Sequence, residues 1–304
     1  MKKYFTVAIL GTGARGAEAY GRLIQQKPDC FRIVALCDKN IEKLKYYKEV
    51  FQVEENNCFL SEEEFFEKKR ADLLVIATPD SYHIQHALQA LSVDYNILLE
   101  KPITDKKEEC KAILEAYKKA NSRVMVCHVL RYAPAFLKVK EMIDNGKIGK
   151  LISFEGIEQV GYAHQAHSYV RGNWRKREDC TPMILAKCCH DLDLFQYYAD
   201  SPCKSISSIG NLAFFKKENM PKDASARCME CKYIDSCPYS AKHIYIKQWN
   251  DFGMPENAWP FNVLAPAPTT EEKLYDAITS SPYGRCVFAC DNNVVDHQIT
   301  QMTF

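Results

Sequence analysis

The sequence carries no excess of either charge: 40 Lys and Arg stand against 39 Asp and Glu, a formal charge of +1. Without a strong field of one sign, neither a nucleic-acid partner nor a polybasic attachment to membrane is expected. No apolar run approaches the roughly 18 residues that span a bilayer. The opening MKKYFTVAIL has the charge of a leader but too short an apolar stretch. Arg15 and Glu18 then follow where a cleavage site would stand. Internal repeats and low-complexity tracts are also missing. What is left is a cytoplasmic globular chain of 304 residues, 47% hydrophobic and 26% charged. At roughly 150 residues per domain, that length is two domains.

Fourteen cysteines are many for a reducing compartment. Several stand singly inside apolar patterns, where a thiol behaves as a small hydrophobe. Cys188 and Cys189 beside His190 read as core or pocket-wall residues. Cys228, Cys231 and Cys237 differ, because they form Cys-x2-Cys-x5-Cys. Three close thiolates suit a structural zinc, with His243, Cys180 or Cys290 as a fourth ligand. No second Cys-x2-Cys is present, so zinc, reduced thiols and a disulfide all stay open.

The first half alternates short apolar runs with helical periodicity. Thr6–Leu10, Arg32–Asp38, Leu73–Ala77, Asn96–Glu100 and Val124–His128 read as buried parallel strands. Between them, Ala17, Tyr20 and Ile24, then Ile41, Leu44, Tyr47 and Phe51, recur at helical spacing. Ser61 with Glu64 makes a capping box, and helices are expected over His83–Leu91, Lys106–Asn121 and Pro134–Asn145. A right-handed β-α-β series of this kind makes an α/β Rossmann domain, a doubly wound parallel sheet, over residues 1–148. Residues 149–304 change texture and read as an α+β domain with an open, largely antiparallel sheet. Strands are expected at Leu151–Gly161, Ser205–Phe215, Arg285–Ala289 and Val294–Phe304, the last two as a hairpin turned at Asp291–Asn293. Helices are expected at Met183–Tyr198 and, capped by Thr269 or Thr270, running to Ser280, with a loop-rich, cysteine-containing insertion near 216–268. The chain stops inside the last strand, so this domain reads as short at its C-terminus.

Gly11-Thr12-Gly13-Ala14-Arg15-Gly16 follows the first strand and opens a helix, and Asp38 ends the next strand 22 residues after Gly16. Gly11 permits the tight turn, Gly13 the approach of a pyrophosphate, and Gly16 close helix–strand contact. The helix start at Ala14 and Arg15 offers N–H groups and positive dipole to phosphates. Asp38 would accept from adenosine ribose hydroxyls and repel a 2′-phosphate, which favours NAD over NADP. Lys39 next door softens that preference. Thr78 and Pro79 end another strand on the same edge of the sheet, and so does Glu100-Lys101-Pro102. Farther on, Trp174 and Arg175 within His167–Arg175 suit a polyol, with donors for hydroxyls and an aromatic face for C–H groups.

The fingerprint, Glu100-Lys101-Pro102, Arg131-Tyr132-x-Pro134 and Lys187-Cys188-Cys189-His190-Asp191-Leu192-Asp193 occur in this order. Together they resemble the Gfo/Idh/MocA oxidoreductases, the glucose-fructose oxidoreductase and inositol dehydrogenase family. That resemblance implies hydride transfer between NAD(P) and a hydroxyl carbon of a sugar, cyclitol or sugar derivative. It also implies a homodimer or homotetramer built through the C-terminal sheet. Lys101 falls on the family's active-site lysine and His190 on its catalytic histidine, the base for the hydroxyl proton. His83 matches a position often His near the nicotinamide, and a cis bond before Pro102 is expected in this context. Many relatives carry Asp one turn before the histidine; here Ala186 stands there. Lys187 and Arg131 then become candidate substrate ligands, and Asp191 or Asp193 a replacement carboxylate. An NAD-dependent, redox-assisted glycosidase and a non-catalytic dinucleotide-binding regulator are the alternatives.

Overall fold

Alternation along Phe5–Leu10 (β1) sends successive side chains to opposite faces of a sheet, and both faces are apolar. Ala8 and Leu10 enter one core with Ala35, Cys37, Phe65, Leu74, Ile76, Ala87, Ile97 and Leu99. Val7 and Ile9 enter a second with Leu36, Tyr47, Phe51 and Val75. A strand buried on both faces needs covering helices on both, which is why it reads as a continuous apolar run.

A computed structural model describes residues 4–304. Six parallel strands form the main sheet: β1, then Phe31–Cys37 (β2), Cys58–Phe59 (β3), Leu73–Ile76 (β4), Asn96–Leu99 (β5) and Val124–Val126 (β6). Their spatial order is β3-β2-β1-β4-β5-β6, so the winding reverses between β1 and β4. Ligands in such sheets bind outside the carboxyl ends of the strands at that reversal. Helices at Ile41–Phe51, His83–Ser92 and Lys107–Lys119 connect them as the periodicity predicts. Asn40 caps the first of these, its side chain accepting from the Glu42 and Lys43 amides. At Ser61 the hydroxyl accepts from the Glu64 amide at 3.3 Å, the first half of the expected capping box.

Cα packing divides the chain differently from a contiguous split at 148/149. One unit holds the described residues up to Cys127 together with Arg227–Arg285; the other holds His128–Ala226 and Cys286–Phe304. Within the first unit the returning segment is tied to the sheet's helices. The Asn257 amide donates to Glu18 at 2.8 Å and to the Tyr47 hydroxyl at 2.9 Å. The helix Glu271–Ser280 in this segment is capped by Thr270, the second of the two candidate threonines, its side chain accepting from the Lys273 amide.

The second unit departs more from expectation. Its sheet is one antiparallel pair, Ser205–Asn211 (β7) with His297–Thr303 (β8). Leu151–Gly161 is not a strand: the described residues offer it no ladder partner, and Ile152 and Ile157 stand 82% and 73% exposed. Arg285–Ala289 forms no hairpin with β8 either; β8 pairs instead with the distant β7. The expected helix Met183–Tyr198 is broken into Met183–Ala186 and Cys189–Ala199 at Lys187–Cys188. His167 and Arg171 lie in a wide π-type helix, Gln165–Arg171, buried throughout. No helix among the described residues is long and apolar enough to cross a membrane.

Candidate functional site

The turn after β1 is set by three glycines with different tasks. Gly11 has φ +91°, and a Cβ there would meet the Ala77 carbonyl oxygen at 2.6 Å. A Cβ on Gly16 would lie 1.9 Å from the Gly11 oxygen. Around Gly13, by contrast, a Cβ would meet nothing within 4 Å, so that stretch of backbone is open to approach. The helix that follows begins as a wide π-type turn over Ala14–Gly21 and continues as Arg22–Gln25.

At the end of β2, Asp38 is held on both oxygens. Oδ2 accepts from the Thr12 amide at 2.7 Å and hydroxyl at 2.8 Å, and Oδ1 from the Asn40 amide at 2.8 Å. The carboxylate is thus oriented before any ligand arrives, with lone pairs to spare for ribose hydroxyls.

Glu100, 5% exposed, gathers the end of β5. It accepts from Arg15 Nε at 2.8 Å, the Tyr20 hydroxyl at 2.6 Å and the Lys101 amide at 3.0 Å. The side chain of Arg15 is therefore committed to Glu100 and to the Tyr20 hydroxyl. Burial, then the Glu100 charge, raises the Tyr20 phenol far above its usual range. The Lys101–Pro102 bond is cis. His83, fully buried, spans two loops: Nδ1 lies 2.7 Å from the Pro102 oxygen and Nε2 2.9 Å from the Thr78 oxygen. It braces the Thr78 and Lys101 turns against each other.

A second chain of contacts was not legible in the sequence. His86 Nε2 bonds the buried Glu62 carboxylate, and its Nδ1 lies 3.0 Å from the Thr78 hydroxyl. Burial lowers the His86 pKa against the pull of Glu62. A neutral ring donating from Nε2 to Glu62 leaves Nδ1 to accept from Thr78. The other oxygen of Glu62 pairs with Lys39 Nζ at 3.2 Å. Burial works against the Glu62 charge, yet its bonds to His86 and Lys39 hold the carboxyl below the usual range.

In the second unit, Arg131 forks onto Asp193, Nε to Oδ2 at 2.7 Å and Nη2 to Oδ1 at 2.8 Å. The His128 ring stands edge-on to His190, centroids 6.2 Å apart. Asp191 is different from Asp193: its Oδ2 is buried with no hydrogen-bond partner among the described residues. Burial, then the nearby Glu158 charge, raises its pKa. Lys187 pairs with Glu158 at 3.4 Å. Trp174 packs against Tyr169, centroids 6.5 Å apart, and Arg175 pairs with Asp291 at 3.0 Å. Both side chains thus have partners within their own unit.

The expected zinc set is not assembled. Among the described residues, no three His, Cys, Asp or Glu side chains converge to hold a metal ion. Buried Cys228 turns its thiol to the Arg285 carbonyl oxygen at 3.6 Å, while Cys231 and Cys237 are half-buried on the following turns.

Two family models match in chain order. An oxidoreductase family model with an NAD-binding Rossmann fold covers residues 5–128, and the Gfo/Idh/MocA C-terminal domain covers 136–229. The chain belongs to the Gfo/Idh/MocA family. Among its relatives, scyllo-inositol 2-dehydrogenase (NAD(+)) of Bacillus subtilis is 30% identical over 149 residues, 49% of this chain and 41% of that protein. Inositol 2-dehydrogenase of Rubrobacter xylanophilus is 23% identical over 207 residues, 66% of this chain and 54% of that protein. The crystal structure of scyllo-inositol dehydrogenase from Lactobacillus casei with bound NAD(H) and scyllo-inositol shares the fold. Its TM-score is 0.59 at 20% identity, over 68% of this chain and 60% of that one. This Gfo/Idh/MocA chain spans about half the length of the curated relatives it matches.

Proposed function

We propose that this protein is an NAD-dependent dehydrogenase acting on a hydroxyl carbon of a sugar or cyclitol. The observation that carries the reading is the pre-oriented Asp38 carboxylate beside an open Gly13 backbone, on the sheet edge where β5 ends in Glu100-Lys101-Pro102. These residues fit a dinucleotide: Gly13 admits the pyrophosphate, helix amides from Ala14 and Arg15 meet its charge, and Asp38 takes the adenosine ribose. Thr78 and Pro79 line the nicotinamide side, braced from behind by His83. NAD, when bound, supplies the hydride acceptor.

The chain's own residues do the rest. His190 would take the hydroxyl proton of the carbinol being oxidised to a carbonyl. Lys101 donates to the reacting oxygen and offsets the charge that develops there. With Ala186 in place of the usual Asp and Asp193 committed to Arg131, Asp191 is the neighbouring carboxyl with an oxygen still open to a ligand. Arg131 and Lys187 are the substrate-side cations, and the names of the inositol dehydrogenase relatives favour a polyol as substrate.

The test is turnover of a panel of cyclitols and aldoses with NAD, followed by nicotinamide absorbance, in the unmodified protein, Lys101→Ala and His190→Ala. The proposal expects each substitution to lower kcat by about 10²–10⁴ with NAD binding retained. Full activity in both variants, or bound NAD with no reduction on any substrate, would sink it.

A further inference from the structure

Lys39 lies directly after the ribose-binding Asp38 and is the residue that would attract a 2′-phosphate. Its ammonium is nevertheless engaged: Nζ lies 3.2 Å from Glu62 Oε1 and 5.0 Å from the centre of the Tyr82 ring. Glu62 cannot easily swing away, since it is 9% exposed and its second oxygen is bonded to His86. Tyr82 in turn stacks on His86, centroids 5.8 Å apart. A fixed anion and an aromatic face therefore hold one mobile cation. The Lys39 side chain itself is 69% exposed, so its position depends on those two partners and not on packing.

We infer that Glu62 is a specificity-determining residue for the dinucleotide, excluding the 2′-phosphorylated form by holding Lys39 and by adding a second negative charge near Asp38. The inference rests on the dinucleotide reading above and extends it to a residue that need not touch the ligand. Asp38 alone repels a 2′-phosphate, but an adjacent unengaged lysine would offset much of that repulsion. With Glu62 present the local charge of Asp38, Lys39 and Glu62 is net negative; with a neutral residue there it is zero. Charges this exposed act through high dielectric and are screened by salt, so the effect is modest and largest at low ionic strength.

The experiment is calorimetric titration of the full chain with NAD and with NADP, at low and at moderate salt. It compares the unmodified protein, Glu62→Gln, Lys39→Met and the double variant. Glu62→Gln should tighten NADP binding about five- to tenfold at low salt and less at moderate salt, with NAD affinity within about twofold. Adding Lys39→Met should erase the gain, whereas Lys39→Met alone should leave NADP affinity within about twofold. Unchanged NADP affinity in Glu62→Gln, with NAD still bound, overturns the inference. A several-fold loss of NADP affinity in Lys39→Met alone also overturns it, because Lys39 would then already be serving the phosphate. That surface variant decides the matter even if Glu62→Gln fails to fold. An unmodified protein that binds neither nucleotide would overturn the dinucleotide reading itself, and this inference with it.

Discussion

A single methyl group separates the tasks of Gly13 and Gly16. At Gly16 a Cβ would sit 1.9 Å from the Gly11 oxygen, a contact with backbone that no rotamer can relieve. At Gly13 there is room, and in the proposed function that space admits the pyrophosphate. Gly16→Ala is therefore expected to cost about 2–4 kcal/mol of unfolding free energy in a urea titration. Gly13→Ala should stay within about 0.5 kcal/mol of the unmodified protein and lose NAD affinity at least about tenfold. Equal stability losses in the two variants would contradict this division. The close contact at Gly16 was legible in the sequence, since the Gly-x-Gly-x-x-Gly spacing assigns it. Glu62 and His86 were not. Glu62 follows the Ser61 cap and reads as one of three surface acids, and only the fold brings it to His86, 24 residues away.

Elements with one dominant physical cause could be read directly. The strands β1, β2, β4 and β5 each carry an apolar run, and the sheet buries most of it. Elements that exist only through a partner could not. The two-residue β3 is defined by its pairing to Leu36 and Cys37. In Leu151–Gly161 the composition of a strand is present without a partner among the described residues, so the segment stays irregular. β7 and β8 pair across some 90 residues of chain, for which local pattern gives no signal. The break in the helix before His190 follows the same logic. Lys187, at φ −119°, leaves the helical path, and a new helix begins at Cys189, so His190 and Asp191 sit in a first turn and not mid-helix.

At the scale of the whole chain, sequence texture placed one contiguous boundary, whereas Arg227–Arg285 packs with the dinucleotide-binding unit. Its anchors are single polar contacts such as Asn257 to Glu18 and Tyr47, which carry no sequence signature. The β7–β8 ribbon bears on the proposed self-association. Ile209 and Ile299 are directly paired and stand 80% and 79% exposed. Two strands alone are marginal, and an apolar cross-strand pair on an open ribbon invites a second copy of the chain. Sedimentation velocity at micromolar concentration should show a dimer or tetramer that Ile209→Glu shifts toward monomer; a monomer before substitution would refute this. The central claim, however, is the dinucleotide site, and titrating the purified chain with NAD and with NADP in a calorimeter tests it most directly. The account predicts saturable one-to-one binding of NAD, at least about tenfold tighter than NADP, and loss of that binding in Gly13→Ala. No heat with either nucleotide, or the same binding in Gly13→Ala, would contradict it.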